Sequence, residues 1–291
     1  MSSTQSAKVV AITGGARGIG YHTAKELIGR GHKVAIGDID EGQLKIAAED
    51  LGIDVAVRLD VTDPASIGNF LDVTEEALGP LDVLINNAGV MPTGHAHEEP
   101  DEVTRRQVEI NVLGVIFGTK VALQRMLPRR RGHIINTASL AGELPVPGLA
   151  TYCGTKFAVI GFTEAARQEY RRSGVNLSTV RPTFTNTELV SGTSGAKGMR
   201  NAEPQEIARA TALSQMRSYP AADAQRSISA ALSDRSDLLR TAAVQGSEGL
   251  LPAVRARLLM PLLDDPVRAV RIEAARALAG VPRELLDPAR I

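Results

Sequence analysis

The 291-residue sequence predicts a doubly wound parallel α/β sheet followed by an all-α segment. Three observations carry that expectation. Short apolar runs of strand length alternate with stretches whose apolar residues recur at helical spacing, as in strands joined by crossover helices. A glycine-rich turn, Thr13-Gly14-Gly15-Ala16-Arg17-Gly18-Ile19-Gly20, falls where the first apolar run gives way to the first helical stretch. Beyond residue 210 the composition shifts: residues 211–291 hold no lysine, histidine or phenylalanine and many Ala, Leu and Arg.

The elements follow in order. Lys8-Val9-Val10-Ala11-Ile12-Thr13 is an apolar run typical of a buried parallel strand. After Gly20, Ala24, Leu27 and Ile28 recur at helical spacing, so the glycines sit at a strand-to-helix junction. There they permit a tight turn, and the helix N-terminus offers unpaired N–H groups to a pyrophosphate. Val34-Ala35-Ile36-Gly37-Asp38 reads as a second strand ending in a carboxylate, at the distance a dinucleotide fingerprint requires. Further strands are expected near 54–59, 82–86, 133–138 and 176–181, after the first two at 8–13 and 33–37. Residues 144–150, rich in Pro and Gly, form a loop beside the expected substrate pocket, and 190–201 reads as a lid closed by the helix start Glu203-Pro204-Gln205-Glu206.

Two features give the chemistry. Asp38 can accept hydrogen bonds from the adenosine ribose hydroxyls and would repel a 2′-phosphate, which favours NAD over NADP. Arg17 argues the other way, since a guanidinium can pair with that phosphate. Tyr152 and Lys156 stand four residues apart, so on a helix they share a face. An unperturbed tyrosine titrates near pH ~10, and a neighbouring cation is expected to bring it towards neutrality. Tyr152 could then take the proton of an alcohol or give one to a carbonyl, with Ser139 donating a hydrogen bond to the oxygen where charge develops.

From about residue 7 to about 210 the chain resembles the short-chain dehydrogenase/reductases. The family's Thr-Gly-x-x-x-Gly-x-Gly is met by Thr13, Gly14, Gly18 and Gly20, its acidic residue after the third strand by Asp60 in Leu59-Asp60-Val61-Thr62, and its Asn-Asn-Ala-Gly by Asn86-Asn87-Ala88-Gly89. Asn111, Ser139 and Tyr152-Cys153-Gly154-Thr155-Lys156 match the catalytic positions. The resemblance implies a Rossmann-like fold and an oxidoreductase acting on CH–OH groups. It implies a catalytic set of Asn111, Ser139, Tyr152 and Lys156, with Lys156 also holding the nicotinamide ribose and Asn111 positioning a water. Cofactor contacts are implied for Gly14, Arg17, Gly18, Ile19, Gly20, Asp38, Asp60, Val61, Asn87, Ala88, Gly89, Pro182 and Thr187. Thr183 stands where the family commonly has glycine, a departure at the loop that carries Thr187.

Other candidates have plainer readings. His95 and His97 lack the cysteine or carboxylate company of a metal site, and none is expected. Arg129-Arg130-Arg131 suits a helix C-terminus better than a nucleic acid. Cys153 is expected to pack. A net charge of zero gives no general attraction to nucleic acid, and one cysteine allows no internal disulfide. Residues 1–6 lack the apolar core of a signal peptide and no stretch is long enough to span a membrane, so a cytoplasmic location is expected. Met91, Pro92, Leu144, Val146 and Leu149 suggest a partly apolar substrate pocket.

The tail carries a repeat. Leu232-Ser233-Asp234 and the helix through Arg240 align with Leu263-Asp264-Asp265 and the helix through Arg271, 31 residues on. This resembles HEAT-type helical repeats, with a shorter helix over 252–263 between them. Two domains are therefore expected, 1–210 and 211–291, as a natural fusion or a hybrid. The family's final strand is missing from the pattern, leaving the sixth strand at an edge; a homo-oligomer is possible. The expected function is hydride transfer between NAD(H) and a secondary alcohol or ketone, with Tyr152 as general acid/base. The alternative is a cofactor-binding interaction protein of little or no activity, whose helical tail recruits a partner.

Overall fold

A computed structural model describes residues 7–182, 203–214 and 221–286. Thr183, Thr187 and the expected lid over 190–201 lie outside them. The described residues fall into two compact units, Met1–Gln205 and Glu206–Ile291.

In the first unit β1 (Val9–Thr13) leads to α1 (Gly18–Gly29), β2 (Lys33–Asp38) to α2 (Glu41–Leu51), and β3 (Ala56–Arg58) to α3 (Pro64–Leu78). Then come β4 (Val83–Asn86), α4 (Asp101–Val108), α5 (Gly114–Met126), β5 (Gly132–Thr137), α6 (Ala150–Glu169) and β6 (Val175–Val180). The strands pair in parallel in the order β3-β2-β1-β4-β5-β6, and β6 is an edge among the described residues. The sheet order reverses between β1 and β4, where the two halves leave a crevice at the strands' C-terminal ends.

Strand residues explain the double winding. Ala11, Ala35, Leu84, Ile134 and Leu177 pack with α3, α5 and α6 in one core cluster. Val10, Ile12, Ile36, Ile85 and Ile135 alternate with them and are also buried, so both faces are covered. Strand three is shorter than the expected 54–59. Its pairing nevertheless extends beyond it: Ile36 N–H donates to Val55 O (3.0 Å) and Leu59 N–H to Asp38 O (2.9 Å).

Two features were not expected from the sequence. A π-helical turn, Glu109–Leu113, joins α4 to α5 and carries the fully buried Asn111. Such turns recur at functional sites. A buried polar ladder also crosses the sheet: Asn86 Nδ2 donates to Asn136 Oδ1 (2.9 Å) and Asn136 Nδ2 to Thr163 Oγ1 (2.9 Å).

The second unit is helical. It contains α8 (Ala221–Ala231), α9 (Asp237–Gly246), α10 (Pro252–Leu259) and α11 (Arg268–Leu278). The helix before them, α7 (Pro204–Ser214), contains the expected boundary at 210/211, and Ala210 and Leu213 belong to the helical unit's core. The expected helix over 252–263 is α only to Leu259 and then a 3₁₀ segment, Met260–Asp264. Pro261 is the reason, because it has no N–H and its ring crowds the carbonyl one turn back. The 31-residue offset recurs in the contacts. Asp234 Oδ1 accepts from Ser236 N–H (2.9 Å) as Asp265 Oδ1 does from Val267 N–H (2.8 Å). Arg240 Nη1 donates to Asp234 O and Arg235 O as Arg271 Nη1 does to Asp265 O and Pro266 O. No helix among the described residues is long and apolar enough to cross a membrane.

Candidate active site

Sterics shape the glycine turn. Gly14 and Gly18 have φ of +65° and +55°, conformations that L side chains rarely adopt. A Cβ on Gly14 would lie 2.8 Å from Ala88 Cα, and one on Gly20 only 2.0 Å from Gly14 O. The turn is stitched to the loop after β4. Thr13 Oγ1 accepts from the N–H groups of Asn87 (2.9 Å) and Ala88 (3.0 Å), while Asn87 Nδ2 donates to Thr13 O (3.1 Å) and Gly14 O (3.0 Å). The side chain of the N-cap residue, Arg17, makes no cap bond to α1, whose first N–H groups suit an anion.

Acidic residues close the crevice beside the turn. Asp38 Oδ2 accepts from Ala16 N–H (3.1 Å) and its Oδ1 from Asp40 N–H (3.2 Å). Arg17 is ion-paired with Asp40, whose other oxygen caps α2 through Gln43 N–H (3.1 Å). Asp60 Oδ1 accepts from the Thr62 hydroxyl (2.7 Å) and N–H (2.9 Å), and these bonds hold its carboxyl below the ordinary range.

The expected catalytic side chains converge from β5, α6 and the π turn. Ser139 follows β5 and starts a short 3₁₀ turn, Leu140–Gly142, by accepting from Ala141 N–H (3.1 Å). Lys156 is buried and donates to Thr137 O (3.0 Å), with Nζ 5.5 Å from the centre of the Tyr152 ring. Burial pushes the Tyr152 phenol up to about 12, against the opposing pull of a hydrogen bond with Ser139. Burial likewise brings the Lys156 amine down to about 8. In this structure, which holds no nicotinamide, loss of water around the phenol is the largest influence on it.

Asn111 acts as a brace. Its Oδ1 accepts from Val90 N–H (2.9 Å), and its Nδ2 donates to Val90 O (2.9 Å) and Thr155 Oγ1 (3.2 Å). A Cβ on Gly89 would stand 3.2 Å from that Oδ1 and 3.6 Å from Lys156 Nζ, so both atoms border one small gap.

One cavity of about 740 Å³ gathers most of these residues. It is lined by Gly14, Arg17, Gly18, Ile19, Asp38, Asp60, Val61, Asn87, Ala88, Gly89, Ser139, Tyr152, Lys156 and Pro182. Of the expected site residues among those described, Gly20 and Asn111 stand behind the wall. Met91, Leu144, Val146 and Leu149 line the cavity as expected, whereas Pro92 does not. Sequence reasoning missed Arg106, Glu109 and Ile110, which also line it. Their spacing marks one helix face, but nothing local says which face meets the crevice. It also missed Glu99, which accepts from Thr104, Gln107 and Thr151 and so ties α4 to the start of α6, one residue before Tyr152. His95 and His97 stack at 5.9 Å in an exposed loop.

The residues present fit a dinucleotide: a turn with no room for a Cβ at Gly14 or Gly20, a helix start whose N-cap side chain makes no cap bond, and a carboxylate at the end of β2. Comparisons with known proteins agree. The chain is 37% identical over 193 residues to 2,5-dichloro-2,5-cyclohexadiene-1,4-diol dehydrogenase of Sphingobium indicum, covering 65% of this chain and 77% of that one. Among solved structures it is similar to a short chain dehydrogenase/reductase from Burkholderia phymatum in complex with NAD, with TM-score 0.64, 28% identity and coverage of 70% and 84%. It is also similar to an actinorhodin polyketide ketoreductase variant with NADPH, with TM-score 0.65, 31% identity and coverage of 72% and 90%. The short chain dehydrogenase family profile matches residues 8–197, so the chain belongs to that family of oxidoreductases.

Proposed function

We propose that this protein transfers hydride between NAD(H) and a secondary alcohol or ketone, with Tyr152 as the proton-transfer group. One observation carries the reading: the Tyr152 phenol, the Ser139 hydroxyl and the Lys156 amine line the same cavity as the glycine cradle. The nicotinamide, when bound, supplies or accepts the hydride. In the reducing direction the phenol, neutral at pH 7, gives its proton to the substrate oxygen as hydride reaches the carbon. In the oxidising direction the phenol first gives up its own proton, and the phenolate then takes the hydroxyl proton as hydride leaves the carbon. Ser139 donates a hydrogen bond to the substrate oxygen. The Lys156 ammonium, anchored on Thr137 O, favours the phenolate formed in reduction. Asn111 holds the wall and keeps one Oδ1 lone pair for a water beside Lys156.

NAD is favoured over NADP by Asp38 and by the pairing of Arg17 with Asp40, which draws the nearest cation away from a 2′-phosphate. Gly14, Gly18, Ile19 and Gly20 serve the pyrophosphate, Asp60 and Val61 the adenine side, and Asn87, Ala88, Gly89 and Pro182 the nicotinamide half. The apolar lining from Met91, Leu144, Val146 and Leu149 suits a substrate with an apolar body. We also read the helical unit as HEAT-like, on the recurring Asp–Arg contacts.

Tyr152→Phe tests the mechanism. Turnover of a cyclic secondary alcohol should fall about 10²- to 10⁴-fold, while NADH binding, followed by its fluorescence, stays unchanged. Retained turnover would remove Tyr152 from the mechanism.

A further inference from the structure

Tyr152 sits between two ties that hold the start of α6 to the segment running from Glu99 to the π turn. The later tie runs through Asn111, whose Nδ2 donates to Thr155 Oγ1 (3.2 Å); that hydroxyl donates in turn to Tyr152 O (2.7 Å). The earlier tie is Glu99. Its Oε1 accepts from the hydroxyls of Thr151 on α6 (2.7 Å) and Thr104 on α4 (2.6 Å), and its Oε2 accepts from Gln107 Nε2 (2.8 Å). Thr104 and Gln107 are three residues apart and share a face of α4, so one carboxylate joins both helices.

The start of α6 relies on that carboxylate. Its N-cap residue, Leu149, makes no side-chain cap bond, so the first turn is not anchored by its own cap. Burial by itself would raise the Glu99 carboxyl, but the bonds from Thr104, Thr151 and Gln107 outweigh it and hold the group below the ordinary range. At pH 7 it is therefore ionised and can only accept. Hydrogen bonds from uncharged donors to an ionised acceptor are of the short, strong kind. Gln107 is fully buried, where an amide is costly unless it is bonded, so its bond to Glu99 does not exchange freely with water.

We propose that Glu99 is a positioning residue for proton transfer, setting through Thr151 where the Tyr152 phenol stands relative to Ser139 and Lys156. The inference rests on the reading of Tyr152 as the proton-transfer group. Thr151 and Tyr152 are neighbours in the first turn of α6, so any shift of that turn carries the phenol with it. A displacement of about 1 Å in a reacting group can cost about 10²-fold in rate.

The test labels the full-length chain with fluorotyrosine and follows the fluorine NMR signal of Tyr152, assigned by its loss in Tyr152→Phe. Glu99→Ala and Thr151→Val should each move that signal and leave those of Tyr21 and Tyr170 in place. Combining the two changes should move it no further than Glu99→Ala alone. With NAD and cyclohexanol as probes, kcat should fall about 10²-fold in Glu99→Ala while the KM for NAD stays unchanged. Glu99→Gln should keep both the signal and the turnover. Gln107 Oε1 has no partner among the described residues and can turn to accept from the new amide. An unmoved Tyr152 signal in both Glu99→Ala and Thr151→Val overturns the proposal. So does an equal fold-loss from Glu99→Ala in the Tyr152→Phe background, which would show that Glu99 acts by another route. Full turnover in Tyr152→Phe overturns the mechanism and this inference with it. Lost turnover there, with wild-type turnover in Glu99→Ala, overturns this inference alone.

Discussion

Burial moves Tyr152 and Lys156 in opposite directions, and each displacement has a signature in stability. The Lys156 amine titrates near 8 in the fold and near 10.5 when unfolded. Between those values the unfolded chain binds more protons, so this group makes stability rise with pH. Below pH 8 the cost of burying the cation is present in full. Tyr152 titrates near 12 in the fold against 10, so its contribution falls as pH rises from 10 to 12. The denaturation midpoint of wild type should therefore rise relative to that of Lys156→Met between about pH 8 and 10.5; a pH-independent difference would mean that Lys156 is solvated. At the ribose end, Asp40→Asn keeps a good helix cap and releases Arg17 from its ion pair. NADPH should then bind about tenfold more tightly, with NADH little changed. Equal gains for both cofactors would show that Asp40 acts by general repulsion.

At the scale of the element, the glycine turn and the loop after β4 form one cradle. Gly20→Ala would press a methyl group against Gly14 O and Asn87 Nδ2, at 2.0 and 2.7 Å. Neither can retreat without breaking the bonds from Asn87 Nδ2 to Thr13 O and Gly14 O. The shift in thermal midpoint that saturating NADH gives should disappear, and a retained shift would show that the cradle can widen. The strand–turn–helix arrangement was legible because Lys8 to Gly20 announces it locally. The π turn was not, because Ile110-Asn111-Val112 reads as ordinary helix and its register depends on the burial of Asn111 beneath Val90.

Across the whole molecule, the two units have separate cores of different kinds. The helical one is held by a buried ion pair as well as by apolar packing. Arg240→Leu would leave the Asp265 carboxylate, 6% exposed, without its bidentate partner. Loss of one member of such a pair costs about 3–5 kcal/mol. Chemical denaturation of the full chain, followed by tryptophans placed singly in each unit, should show the helical transition moving to lower denaturant. The NADH-dependent transition of the first unit should keep its midpoint. A shift of both transitions by the same amount would mean that the units unfold together.

The sequence by itself determined the alternating strands and helices, the glycine turn between the first strand and helix, and the placing of Tyr152 and Lys156 one helical turn apart, because each is written in short-range spacing; Ser139 was picked out by resemblance to the family. Side-chain periodicity, glycine sterics and the turn of a helix act over a few residues. Only the tertiary structure decided that Asn111 is a brace and that Arg17 faces Asp40. It also decided that Arg106, Glu109 and Ile110 reach the cavity, and that burial raises the Tyr152 phenol. Those properties depend on which distant segments exclude water from one another. That exclusion is set by how the elements pack, which no local spacing encodes.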